Sequence, residues 1–139
     1  MEWETRLGYE KPGSICMVEY DPVKKEIVGY PKRMWRGGTD RGCIGAPHLT
    51  KRGEYYYIMC AEGGTGYNHC VTMGRSSQVW GPYERDPQNP IVTSVPGVSY
   101  ERSDPDHLKP KYFNPDSVLQ KSGHGSYVEL PTGEVYLVH

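Results

Sequence analysis

The chain has 139 residues and a formal net charge of −1, with both signs mixed along its length, so no basic stripe indicates nucleic-acid binding. No apolar run approaches the ~18–20 residues of a membrane span, and no signal peptide opens the chain. Leu and Ala are scarce beside Val, Thr and Tyr, and 17 Gly and 12 Pro punctuate the sequence. This composition predicts an all-β protein with many turns.

The first part of the chain predicts a polar N-terminal segment and then a β-hairpin. Residues 1–14 are polar and poorly patterned, as is typical of a loop or frayed end. Residues 15–20 and 27–36 are rich in strand-forming side chains, and residues 21–26 between them have the Asp-Pro and lysines of a turn. We therefore expect the folded domain to span residues 15–139.

The most strongly patterned stretch is residues 43–90. Within it, the Tyr-rich residues 54–60 and residues 69–75 predict two strands. Residues 61–66 between them are rich in glycine, which permits φ > 0 and a tight turn. Trp-Gly-Pro-Tyr at residues 80–83 is typical of a corner at which strands pack.

The last part of the chain predicts a long loop and a final hairpin. Residues 94–115 are polar, rich in Pro and Asp and without periodicity, which indicates a surface excursion. Residues 126–138 predict a hairpin that turns at Pro-Thr-Gly. A polar turn, Gly-Glu and an aromatic-aliphatic strand occur in residues 51–58 and again in residues 131–138, and repeated small antiparallel sheets are how β-propellers are built.

Four cysteines, at positions 16, 43, 60 and 70, form neither a C-x-x-C pair nor a Cys/His cluster of the kind that binds zinc. Cys60 and Cys70 flank the glycine turn, so one interpretation places them face to face across a hairpin. The favoured interpretation is that they are free thiols that act as small apolar residues. Free thiols favour a cytoplasmic location.

Several spaced motifs resemble those of family 43 glycoside hydrolases of the β-xylosidase and α-L-arabinofuranosidase type. They are Ala-Pro-His-Leu at 46–49, Ala-Glu-Gly-Gly-Thr-Gly-Tyr at 61–67, Trp-Gly-Pro-Tyr-Glu at 80–84 and Ser-Gly-His-Gly-Ser at 122–126. The resemblance extends from about residue 15 onward. It implies a five-bladed β-propeller, of which this chain supplies about half the ring, and a substrate among xylan- or arabinose-containing plant oligosaccharides.

The resemblance also implies catalytic carboxylates that this chain lacks. Inverting glycosidases need an acid for the leaving oxygen and a base for water. The family's Asp base and its second Asp lie upstream of the resemblance, and its Glu acid corresponds to Gly45. The neighbours Ile44 and Ala46 cannot replace it, and both natural decay and deliberate substitution would leave a glycine there. We expect the chain to be inactive by itself.

Three residues are expected to line what remains of the substrate pocket. Thr65 matches a residue at the sugar subsite, although its hydroxyl can instead shape the turn. His124 matches an axial histidine that binds a central calcium in several members, but Ca²⁺ prefers ~6–8 oxygen ligands, so one imidazole does not define a metal site. Glu62 is the carboxylate nearest in sequence that could substitute for the missing acid. Its simpler interpretation is structural: it accepts hydrogen bonds from the N–H groups of the turn at residues 63–66.

Five further side chains have both structural and functional interpretations. We expect His48 to order its loop and His69 to lie at a strand edge. Arg75 is expected to pair with a carboxylate. Trp80 and Tyr83 are expected to pack at a corner rather than to stack on sugar.

These observations leave three hypotheses. In the favoured one, the chain is part of a β-xylosidase or α-L-arabinofuranosidase and is truncated at both ends. It then needs no cofactor, and it contacts a pentose-containing oligosaccharide through residues on one face, near Thr65 and His124. The second is a non-catalytic sugar-binding or oligomeric half-propeller that self-associates through open blade edges. The third, an active enzyme with a rearranged site, requires two converging carboxylates, and the sequence offers no credible pair.

Overall fold

The computed structural model describes residues 13–94 and 118–139, and its regular structure there is entirely β. The strands are β1 (Ile15–Asp21), β2 (Glu26–Trp35), β3 (Gly45–Arg52), β4 (Tyr55–Glu62), β5 (Cys70–Ser76), β6 (Glu84–Arg85), β7 (Val92–Thr93), β8 (Ser126–Glu129) and β9 (Val135–Val138). Almost all of the expected N-terminal segment and surface loop, at 1–14 and 94–115, lies outside the described residues. Within the described ranges there is no helix long and apolar enough to cross a membrane.

The first sheet is the antiparallel hairpin of β1 and β2. Its turn is held by Asp21, whose Oδ1 accepts the N–H groups of Val23 at 2.8 Å and Lys24 at 3.0 Å. Most of β2 is exposed, whereas the base of the hairpin is buried at Ile15 and Trp35. The hairpin is therefore anchored to the rest of the protein at its base.

The central sheet has the order β3-β4-β5-β6, and β7 also pairs with β5. Side chains alternate between the two faces of a strand, so Ile58 and Cys60 lie on one face of β4 while Tyr57 and Met59 lie on the other. The first face packs against the hairpin base. The core formed there consists of Ile15, Trp35, Ile44, Ile58, Cys60 and Tyr83. Burial of such side chains, worth about 1.5–3 kcal/mol each for the large apolar ones, joins the first two sheets.

The second face of the central sheet is partly covered by the hairpin of β8 and β9. The ideal Cβ position of Gly125 lies 2.9 Å from a methyl of Val71 and 3.1 Å from one of Leu137, so the backbone approaches closely there. Arg52 on β3 and Glu129 on β8 form an ion pair of 3.2 Å. An apolar cavity of about 260 Å³ remains between the two sheets. All four residues of β9 are exposed.

The predicted all-β fold is confirmed, and the five predicted strand regions overlap β1, β2, β4, β5 and the β8–β9 hairpin, with ends that differ by at most two residues. Strand β3 was not predicted, because Gly45 and Pro47 are poor strand formers. The structure accommodates them on an edge strand, where the register with β4 shifts between Gly45 and His48. The two-residue strands β6 and β7 are too short to produce a sequence pattern.

Candidate functional site

Glu62 ends β4 as a fully buried carboxylate, with 0% of its surface exposed. Its Oε1 accepts the Gly38 N–H at 2.5 Å and the Thr72 hydroxyl at 2.6 Å. Its Oε2 accepts the Thr39 N–H at 3.1 Å and the Thr39 hydroxyl at 2.5 Å. The expectation that its donors come from residues 63–66 is therefore wrong: they come from the loop after β2 and from β5. Glu62 faces the protein interior rather than a sugar.

Glycines allow the chain to close around this carboxylate. Gly37 has φ +114, and a Cβ built there would overlap the Glu62 carboxylate. On the other side, the N–H of Gly63 donates to the carbonyl of Gly42 at 2.8 Å. The loop of residues 36–44 is thus tied to the end of β4, which fixes the approach to position 45.

Arg41 lies in this loop and is also a buried charged residue, with 1% of its surface exposed. Its Nη1 donates to the Asn68 carbonyl at 3.0 Å and to the Thr93 hydroxyl at 2.8 Å. The sequence analysis did not identify Arg41, because an arginine in a glycine-rich loop carries no pattern that predicts burial. Arg41 joins the loop to the far side of the glycine turn, so the loop is held at both ends by opposite charges.

Cys70 lies under the influence of both charges. Burial raises the pKa of its thiol to about 11, with Arg41 acting to lower that pKa and Glu62 to raise it. Burial, together with Glu62, raises the pKa of Cys60 to about 12. The β4–β5 register pairs Cys60 with Thr72 and Cys70 with Glu62, so the face-to-face arrangement is wrong. All four cysteines are free, as favoured from the sequence.

Position 45 offers open space and no carboxylate. Gly45 opens β3 opposite Ala61, and no atom of residues 13–94 or 118–139 lies within 4 Å of the point where its Cβ would stand. Its φ is outside the left-handed region, unlike that of Ala46, which has φ 48. A side chain at position 45 would therefore fit without strain. His48, three residues on, is exposed and pairs with Met59 in the sheet.

Thr65 and His124 are both exposed on segments that meet each other. Thr65 stands in the glycine turn, and Cys43 lies 4.0 Å from the ideal Cβ position of the neighbouring Gly64. Burial lowers the pKa of His69. The backbone oxygen of Gly64 acts to raise this pKa, and the charge of His124 acts to lower it further. Cys43 thus lies beside the glycine turn, and His124 lies near His69, which follows that turn.

His124 does not have the surroundings of a calcium site among the described residues. No group of three or more His, Cys, Asp and Glu side chains converges within residues 13–94 and 118–139. Ca²⁺ takes about six to eight oxygen ligands, so the described residues do not fit this ion. Glu62 is itself occupied by four hydrogen-bond donors.

The remaining predicted residues have structural surroundings. Arg75 lies 3.9 Å from the Glu84 carboxylate and stacks 4.9 Å from the ring centre of Tyr55. Tyr83 is buried in the core and donates its hydroxyl to the Val79 carbonyl at 2.7 Å. Trp80 is exposed, with the Lys32 ammonium 5.0 Å from its ring centre. The corner at residues 80–83 therefore packs through its tyrosine.

Small antiparallel sheets stacked face to face are the architecture of β-propeller blades. The family model "Glycosyl hydrolases family 43" matches residues 1–139. The xylan beta-1,4-xylosidase of Bacillus halodurans C-125 superimposes with a TM-score of 0.72 at 40% identity, over 89% of this chain and 20% of that one. The chain belongs to glycosyl hydrolases family 43, and its fold is part of the propeller.

Curated relatives agree with this placement. The xylan 1,3-beta-xylosidase of a Vibrio species and the beta-xylosidase of Bacillus subtilis are each 40% identical over the whole chain, which covers 23% of either relative. A non-reducing end alpha-L-arabinofuranosidase of Bacteroides ovatus is 40% identical over 132 residues, 95% of the chain and 22% of that relative. The chain thus spans less than a quarter of the length of these curated relatives.

Proposed function

We propose that this chain is the portion of a β-xylosidase or α-L-arabinofuranosidase that supplies one wall of a pentose-binding groove and no catalytic acid. The observation that carries the proposal is Gly45. By the family resemblance it occupies the position of the acid, and no described atom lies within 4 Å of the point where its Cβ would stand. Catalysis by inversion requires an acid and a base. We therefore expect the chain alone to contact sugar without cleaving it.

The exposed side chains near position 45 support a sugar-contacting wall. Thr65 offers a hydroxyl beside glycine backbone, and His124 offers an imidazole, so both can hydrogen-bond to sugar hydroxyls. Glu62, by contrast, is withdrawn from solvent and bonded to four donors. The groove we propose is therefore lined by Thr65 and His124, with Glu62 supporting it from behind.

Titration of the isotope-labelled chain with xylobiose and with arabinobiose, followed by NMR, tests the proposal. We expect shifts concentrated at Thr65 and His124, no change at Arg85 on the far edge of the central sheet, and no release of monosaccharide. Shifts spread evenly over the protein, or none at millimolar sugar, would contradict a pentose-binding wall. Cleavage of either disaccharide would contradict the missing acid.

One observation favours a second candidate, an oligomerising half-propeller. Strand β9 pairs only with β8 among the described strands, and Val135, Tyr136, Leu137 and Val138 are all exposed. Unpaired apolar edges pair with other strands unless charge, Pro or bulges blunt them. Reading the coding DNA on both sides of this segment discriminates the candidates. An open frame that encodes further blades favours the enzyme portion, whereas stop codons on both sides favour the self-associating module.

A further inference from the structure

Two separate segments of the chain make contact beside the proposed groove. The ammonium of Lys121 lies 4.8 Å from the ring centre of Tyr67, a cation–π distance. Two residues further along each segment, a Cβ built on Gly123 would overlap the imidazole ring of His69. The Ser122 N–H also reaches the Ser94 hydroxyl, at 3.4 Å. The segment before β8 therefore rests directly on the loop before β5.

The imidazole of His69 is a fixed support for this contact. The backbone oxygens of Gly64 and Glu62 lie beside the ring, on the turn that carries Thr65. The Nδ1 atom of His69 is buried without a hydrogen-bond partner. The backbone carbonyl of His69 accepts a hydrogen bond from the Thr93 hydroxyl at 3.1 Å, and that hydroxyl accepts one from the Arg41 guanidinium. The ring thus belongs to the framework that holds the glycine turn.

The backbone at His124 needs such a support. His124 has φ 56 and Lys121 has φ 60, so two residues with side chains occupy the left-handed region within four positions. This region is unfavourable for residues other than glycine. Neighbouring contacts must hold the conformation, and those with Tyr67, His69 and Ser94 flank the two strained residues. Gly123 between them lies outside the left-handed region, so steric contact with the His69 ring is what favours glycine there.

We propose that His69 is a positioning residue: through Gly123 its ring sets where the His124 imidazole stands relative to Thr65, without contacting sugar. This inference rests on the proposed function, because the groove between Thr65 and His124 belongs to that proposal. It assigns a role to a residue that the sequence placed merely at a strand edge. It also explains why a bulky ring and a glycine meet at this point.

A double-mutant cycle with Gly123→Ala and His69→Ala tests the contact from both sides. With the His69 ring present, the added methyl must push the segment away. We therefore expect Gly123→Ala to shift the His124 resonances and to weaken xylobiose binding about two- to tenfold, the effect of losing one hydrogen bond. Without the ring there is room for the methyl. In the His69→Ala background, Gly123→Ala should therefore change neither the His124 resonances nor the affinity further.

The controls separate positioning from stability and from sugar binding. His139→Ala makes the same chemical change at an exposed position and should leave both readouts unchanged. His69→Ala removes the ring and should shift the His124 resonances. His69→Phe keeps a flat ring beneath Gly123 and should return these resonances most of the way to their positions in the unaltered chain. Unchanged His124 resonances in Gly123→Ala, or additive effects in the double variant, would overturn the inference. If the unaltered chain binds no xylobiose, the proposed function fails, while the His124 resonances still decide whether His69 positions that residue.

Discussion

Replacement of Glu62 by Gln changes one oxygen of a buried carboxylate that accepts four hydrogen bonds. A carboxamide has one acceptor oxygen and one NH₂ donor. Each Glu62 oxygen accepts one backbone N–H, from Gly38 or Thr39, and one hydroxyl, from Thr72 or Thr39. A hydroxyl can rotate to accept, but a backbone N–H cannot reverse. Either orientation of the amide therefore sets one backbone N–H against a donor.

The cost follows from these four contacts. An unsatisfied buried donor costs about 1–3 kcal/mol, and bonds to a charged acceptor are stronger than neutral ones. We expect Glu62→Gln to lower the free energy of unfolding by about 2–4 kcal/mol. Glu62→Ala, which leaves all four donors without their acceptor, should cost about 4–5 kcal/mol or prevent folding.

Urea unfolding followed by tryptophan fluorescence measures this cost, because Trp35 is buried in the core beside β4. Glu134→Gln is the matched control: that carboxylate is exposed in the final hairpin, and its replacement should change the free energy of unfolding by less than about 0.5 kcal/mol. A Glu62→Gln variant within about 0.5 kcal/mol of the unaltered chain would refute the assigned role. Light scattering on each sample checks that association does not contribute to the midpoint.

Three further predictions concern other parts of the chain. Gly45→Glu should fold with unchanged stability, because its side chain enters open space. It should not gain turnover, because inversion also needs a base and we propose that this chain does not supply one; a measurable gain would contradict this. Thiol titration should label Cys16 in the folded chain and leave the buried Cys60 and Cys70 unreacted. The folded pKa values of Cys60 and Cys70, about 12 and 11, exceed the ordinary 9.0, so the free energy of unfolding should fall as the pH rises above 9. A free energy of unfolding that stays constant from pH 9 to 11 would contradict their burial. Light scattering across a concentration series should show self-association that Tyr136→Lys on the exposed edge reduces; a monomer at all concentrations would refute it.

The sequence predicted the parts of this molecule that depend on local pattern. Aromatic and β-branched runs predicted β4 and the final hairpin, and the glycines of residues 61–66 predicted the turn between β4 and β5. The partners of Glu62 were beyond such reasoning. Three of its four hydrogen bonds come from residues 23 or 24 positions away, in a loop without periodicity.

The same limit applies to Arg41 and His69. Arg41 binds Asn68 and Thr93, which are 27 and 52 positions along the chain. His69 meets Gly123 across two segments that no turn connects. Such contacts depend on how the sheets pack together, and packing is decided by the whole fold rather than by any one stretch.

We propose that this chain contacts pentose sugars and lacks the groups that cleave them. The most direct test is prolonged incubation of the purified chain with aryl β-xylosides, aryl α-L-arabinofuranosides and xylobiose, with product detected by NMR. We predict no hydrolysis above the rate in buffer, for the unaltered chain and for Gly45→Glu alike. Turnover by the unaltered chain that disappears in Glu62→Ala, while a folded Glu134→Gln control retains it, would contradict the claim and establish a rearranged active site.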